Sequence, residues 1–82
     1  MSKIQKLLEQ MRNNQQDWTL ADLERIANHF EIQLRSGKGS HVYFTFPNNL
    51  SLSVPAKRPI KAIYIIQFLE LLDALQNEQE QI

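Results

Sequence analysis

The one segment whose residue types could do chemistry is Gly37-Lys38-Gly39-Ser40-His41, where a histidine follows a basic, glycine-rich turn. Imidazole titrates near neutrality, so it is the side chain that most readily takes up and releases a proton at physiological pH. Glycine-rich backbone leaves amides free to meet an anion, and Arg35 and Lys38 put cations beside them. Together these parts are the equipment of acid–base catalysis at a phosphodiester. On position alone His41 reads first as a solvated residue at the start of a strand, and it is the neighbouring cations and glycine turn that shift the reading toward chemistry. His29 falls at the end of a helical pattern, where a cation complements the helix dipole, and is given no catalytic role.

Most other chemistries find no footing in the sequence. There is no cysteine, no HExxH and no GxSxG, and no pair of histidines at ligand spacing, so neither a metal site nor a cofactor is expected. The stretch Gly37-Lys38-Gly39-Ser40 is not a nucleotide-binding P-loop, because that loop needs GxxxxGK[ST] between a strand and a helix and here a strand follows.

Charge is segregated along the chain although its sum is zero. From Arg35 through Lys61 there are five basic residues (Arg35, Lys38, Lys57, Arg58, Lys61) and no acidic one, so this middle segment is +5 and the flanks together are −5. A basic segment around the histidine favours an anionic polymer as ligand. Lys57, Arg58 and Lys61 fall around the entry to a helix, and Lys61 is expected in its first turn, where a cation is electrostatically disfavoured unless it meets a phosphate. Tyr43 is available to stack on a base, and Ser51 and Ser53 to hydrogen-bond a sugar.

The elements that must position these residues follow from periodicity. Ile4, Leu7, Leu8 and Met11 mark a helix over about Lys3 to Arg12, stopped by Asn13-Asn14. Thr19 with Asp22 caps a second helix, whose stripe is Leu20, Leu23, Ile26, Ala27 and Phe30, and Trp18 is placed to staple against Leu23. After Phe30 the period changes from 3.6 to 2, with Ile32 and Leu34 in a first strand and Ser36 to Ser40 as a turn. A second strand, His41 to Phe46, sends Val42, Phe44 and Phe46 to one face and His41, Tyr43 and Thr45 to the other. Pro47-Asn48-Asn49 is a turn, and a third strand ending at Pro55 alternates Leu50, Leu52 and Val54 inward with Ser51 and Ser53 outward. The last helix begins near Lys61 and carries more apolar surface than one stripe requires, leaving leucines and isoleucines for the first helix or for a partner.

The resulting order, α-α-β-β-β-α, is an α+β fold with a three-stranded antiparallel sheet, apolar on one face and open on the other. At 82 residues it reads as a single domain, 1–82, with 1–18 as a helical extension, 19–76 as the core and 77–82 as a frayed tail. The apolar run from Ile60 to Leu75 is broken by Lys61, Gln67, Glu70 and Asp73 and is too short to span a bilayer, and no secretory signal is read at the N-terminus. The expected location is the cytoplasm.

Three short motifs over about Leu20 to Leu72 resemble the HicA toxins, small RNA-cleaving partners in type II toxin–antitoxin pairs: Gly39-Ser40-His41 opening the second strand with Phe44 beyond, Leu52-Ser53-Val54-Pro55 ending the third, and Pro59-Ile60-Lys61 entering the last helix. The chain departs from many members in carrying Val42 after the histidine and Ala62 where proline is common. The resemblance implies a core similar to the double-stranded-RNA-binding domain, cleavage of mRNA with His41 as the catalytic histidine, and neutralisation by a HicB-type antitoxin through which the toxin could oligomerise. On that reading Arg35, Lys38, Gly39, Ser40, Tyr43, Lys57, Arg58 and Lys61 contact RNA, and the activity is that of a metal-independent endoribonuclease. The competing expectation is a non-catalytic RNA-binding module of the same fold. A third is a protein-interaction domain that uses the surplus apolar surface of the last helix.

Overall fold

Two helical stripes and a sheet that is apolar on one side can be satisfied together only if the helices cover the apolar side. The computed structural model has this arrangement; it describes residues 3–37, 39–56 and 59–80, the last three as backbone alone. In chain order the elements are α1 (Lys3–Asn13), α2 (Leu20–His29), β1 (Gln33–Ser36), β2 (His41–Thr45), β3 (Ser51–Pro55) and α3 (Ala62–Glu80). The fold is α+β, with an antiparallel sheet of order β1-β2-β3 and helices packed against it.

The register gives each face its composition. Leu34, Phe44 and Leu52 lie abreast across the three strands on the inner side, and Arg35, Tyr43 and Ser53 lie abreast on the outer side. Phe44 and Val54 are fully buried, and so is Phe46 just past the end of β2. Phe68 of α3 meets Phe44 edge-on at a centroid distance of 5.6 Å and Phe46 at 5.8 Å, the geometry that aromatic quadrupoles favour. Leu23 and Ile26 of α2, Leu72 of α3, and Leu8 and Met11 of α1 belong to the same cluster, so the first helix shares the core of the sheet.

Local chemistry explains where the helices begin and end. The Asp22 carboxylate accepts hydrogen bonds from the Thr19 amide and hydroxyl, each at 3.0 Å, which fixes the first turn of α2. At the end of α1, the Gln15 side-chain amide donates to the carbonyls of Met11 and Arg12. Arg12 then reaches α3 through a two-pronged ion pair with Asp73, its Nη1 3.0 Å from Oδ2. That hydrogen bond, reinforced by the carboxylate charge and opposed by burial, raises the Arg12 pKa above its usual value. Both side chains are well exposed, so the pair links α1 to α3 while adding little stability. The connectors are also tied: the Ile60 amide donates to the Trp18 carbonyl at 2.9 Å, and the Trp18 indole donates to the Asn14 carbonyl at 2.6 Å.

Helix α2 stops in a Schellman turn, in which the Ile32 amide bonds back to the Ala27 carbonyl at 2.8 Å and Glu31 takes the left-handed conformation, φ 59°. A side chain in that conformation costs about 1–2 kcal/mol relative to glycine, partly offset by glycine's greater freedom when unfolded. Glu31→Gly is therefore expected to raise stability by up to about 1 kcal/mol, read as a higher urea midpoint. A lower midpoint would show that the Glu31 side chain makes a contribution of its own.

Four expectations need correction. Leu50 is 39% exposed and does not point inward: it precedes β3 in the turn where Asn49 is left-handed and the Phe46 amide bonds the Leu50 carbonyl. Lys61 lies just ahead of α3 and not in its first turn, its carbonyl accepting from the amides of Tyr64 and Ile65. Helix α3 runs past residue 76 to Glu80, so the expected tail begins within the helix. The apolar surplus of α3 is also smaller than periodicity suggests. Leu69, Leu72 and Leu75 are buried in the shared core, and of the large apolar side chains of α3 only Ile63 and Ile66 are well exposed. Among the described residues, no helix is long and apolar enough to cross a membrane.

Candidate functional site

The outer face of the sheet carries the polar and titratable side chains that the alternation excludes from the core. Gln33 and Arg35 stand on β1, His41, Tyr43 and Thr45 on β2, and Ser51 and Ser53 on β3, all of them exposed. On β2 this separation is complete, since Val42 and Phe44, between the three outward residues, turn toward the core. His41 opens the strand opposite Pro55 of β3, and its carbonyl accepts from the Gly37 amide at 2.9 Å, closing the hairpin. Within the loop Gly39 is left-handed, φ 71°, a conformation that glycine adopts without strain. The Ser40 carbonyl is tied to the Ala56 amide, so the loop before the histidine is anchored to the far end of β3.

Gly37 has a different reason to be glycine. A Cβ at that position would fall within 3.0 Å of Cε2, Cδ2 and Cζ of Tyr43, because the tyrosine ring occupies the space that a side chain would take. The ring thus rests on the backbone of Gly37 and stays 42% exposed. Beside it is an open cavity of about 670 Å³ lined by Arg35, Ser36, Gly37, Tyr43, Thr45 and Ser51. Its lining includes one cation, three aliphatic hydroxyls and a phenol, and no carboxylate. The acidic residue Glu31 lines a separate cavity at the opposite end of β2, with Gln33, Thr45 and Asn49. The face therefore runs from Glu31 at one end to Arg35 and His41 at the other.

Of the residues expected at the site, Arg35 and Tyr43 are register partners and line the same cavity. His41 shares their face, two residues from Tyr43 on β2 and outside the cavity lining. Gly39 and Ser40 are exposed in the loop leading to it. Lys61 is exposed on the connector into α3 and is not part of that cavity. Lys38, Lys57 and Arg58 lie outside the described residues. Among the described residues, no side chain hydrogen-bonds the His41 imidazole, and no three His, Asp or Glu side chains are grouped as they would be to hold a metal ion.

From the sequence Ser51 reads as a sugar contact on the open face, Thr45 only as a residue of that face, and Gly37 only as part of the turn. Strand parity was signal enough for the two hydroxyls. The contact between Gly37 and Tyr43 depends on the hairpin register and has no local signature. On the helical layer a cleft of about 770 Å³ between α1 and α2 is lined by Lys3, Ile4, Leu7, Arg25, Asn28 and His29, which places His29 away from the sheet's open face. Compared with known proteins, the chain matches no family model, no curated protein and no solved structure.

Proposed function

We propose that the chain binds RNA on the open face of its sheet and cuts it there, with His41 as general acid–base, as an endoribonuclease toxin of the HicA type held in check by a HicB-type antitoxin. The observation that carries this reading is the placement of His41: exposed on the outer face of β2, two residues from a tyrosine that shares a cavity with Arg35. In the proposed reaction the RNA 2′-oxygen bonds to phosphorus and the bond from phosphorus to the 5′-oxygen breaks. The proton of the 2′-hydroxyl must be removed and the departing 5′-oxygen must gain one; His41 serves one of these transfers. Arg35 and the loop amides offer positive charge to the phosphorane-like transition state. The products are a 2′,3′-cyclic phosphate and a 5′-hydroxyl, and the sequence of bond changes needs no metal.

The second reading, a non-catalytic RNA-binding module, draws on one observation: nothing among the described residues orients the His41 imidazole, whereas catalytic bases are commonly held by a third group. Induced expression of the wild-type chain, with the integrity of cellular mRNA followed over time, separates the two. The toxin reading predicts growth arrest with fragmented mRNA, relieved by co-expression of the antitoxin. Intact mRNA alongside RNA binding by the purified protein would favour the module.

A further inference from the structure

We propose that the outer-face cavity beside Tyr43 is a subsite for one unpaired nucleobase, so that the substrate of this site is single-stranded RNA and not a duplex. The inference rests on the RNA reading above and adds to it the form of the RNA and the residues that choose the cut position.

Three observations carry it. First, the Tyr43 ring packs on the backbone of Gly37, in space that a side chain there would take, and 42% of the residue remains exposed. An exposed aromatic ring placed beside a polar cavity offers a face on which a base can stack. Second, the cavity that adjoins the ring has directional polar groups on its other sides. Thr45 and Ser51 are direct register partners, so their side chains stand side by side on adjacent strands, and Arg35 stands opposite Tyr43. Hydroxyls suit the edge of a base or a ribose, and a guanidinium suits the phosphate attached to it. Third, an open cavity bordered by an aromatic ring and hydroxyls can engage a base on both only when the base's face and its edge are free. In an A-form duplex the faces are stacked and the pairing edges are used, whereas a single strand presents both.

Position along β2 links the subsite to the cut. Tyr43 and His41 point to the same face two residues apart, which is roughly 6.5–7 Å along a strand. A base stacked on Tyr43 therefore brings the phosphodiester next to it toward His41. Tyr43, Gly37 and Thr45 become the residues that determine which nucleotide is cut.

The test is the affinity of a short fluorescent oligoribonucleotide, single-stranded and annealed to its complement, measured in the His41→Ala background so that it is not consumed. The single strand is expected to bind more tightly than the duplex. Tyr43→Ala should weaken single-strand binding by roughly 5- to 150-fold, the range for loss of one base–aromatic stack, and Tyr43→Phe should retain it. Gly37→Ala should also weaken it, by displacing the ring while leaving the tyrosine in place. Equal affinity for duplex and single strand, or Tyr43→Ala and Gly37→Ala variants that are folded by circular dichroism and bind unchanged, would overturn the subsite while leaving the RNA reading standing. Binding of neither RNA would overturn both.

Discussion

Replacing His41 by alanine is expected to slow RNA cleavage by roughly 10²- to 10⁴-fold, the usual contribution of one positioned acid or base. Read as a barrier, that is about 3–5 kcal/mol. The fold should not respond, because His41 is exposed, its side chain bonds to nothing among the described residues, and β2 keeps its backbone pairing to Gly37 and Pro55 whatever side chain it carries. RNA affinity should change little, since Arg35 and Tyr43 remain. Single-turnover rates with protein in excess, together with a thermal melt, check both halves of the expectation. A folded variant that cuts as fast as wild type would remove His41 from the chemistry.

The largest effect on stability is expected at Phe68. Its ring meets Phe44 and Phe46 at once and is fully buried, so it joins α3 to the inner face of the strand whose outer face carries the site. Truncation of a buried phenylalanine to alanine costs about 3–5 kcal/mol, through lost burial and the cavity left behind. A domain of 82 residues has roughly 4–12 kcal/mol of stability in total, at about 0.05–0.15 kcal/mol per residue. Phe68→Ala is therefore expected to take a large part of the whole and, at the lower end, to leave much of the protein unfolded at 37 °C. Urea unfolding followed by circular dichroism measures it, with Phe68→Leu as the milder variant that should still fold. A loss below about 1 kcal/mol would mean that the three rings are not the centre of the core.

The alternation His41-Val42-Tyr43-Phe44-Thr45-Phe46 was enough to assign both faces of β2 from sequence, because a strand has a period of two and one face had to be buried. The helical stripes were legible for the same reason, and Thr19 and Asp22 marked the start of α2. Errors arose where local pattern and chain geometry part. Leu50 continues the alternation of β3 but falls in the preceding turn, whose left-handed Asn49 sets its direction. The apolar surplus of α3 left two takers open in the sequence, α1 or a partner, and Leu8 and Met11 of α1 share the core with Leu69, Leu72 and Leu75 while Arg12 pairs with Asp73. At the site, the chemistry of His41 was readable from residue type and parity. The support of Tyr43 by Gly37 was not, since it joins two positions that only the register of the hairpin brings together.

The central claim is that this face cuts RNA by internal attack of the 2′-oxygen with His41 moving a proton. It is tested most directly by incubating the purified chain with an RNA oligonucleotide in the presence of EDTA and identifying the new ends by mass spectrometry. The account predicts a 2′,3′-cyclic phosphate and a 5′-hydroxyl, with no cut where the adjacent 2′-hydroxyl is replaced by hydrogen. Absence of cleavage, or cleavage that leaves a 5′-phosphate and proceeds past a 2′-deoxy nucleotide, would contradict it.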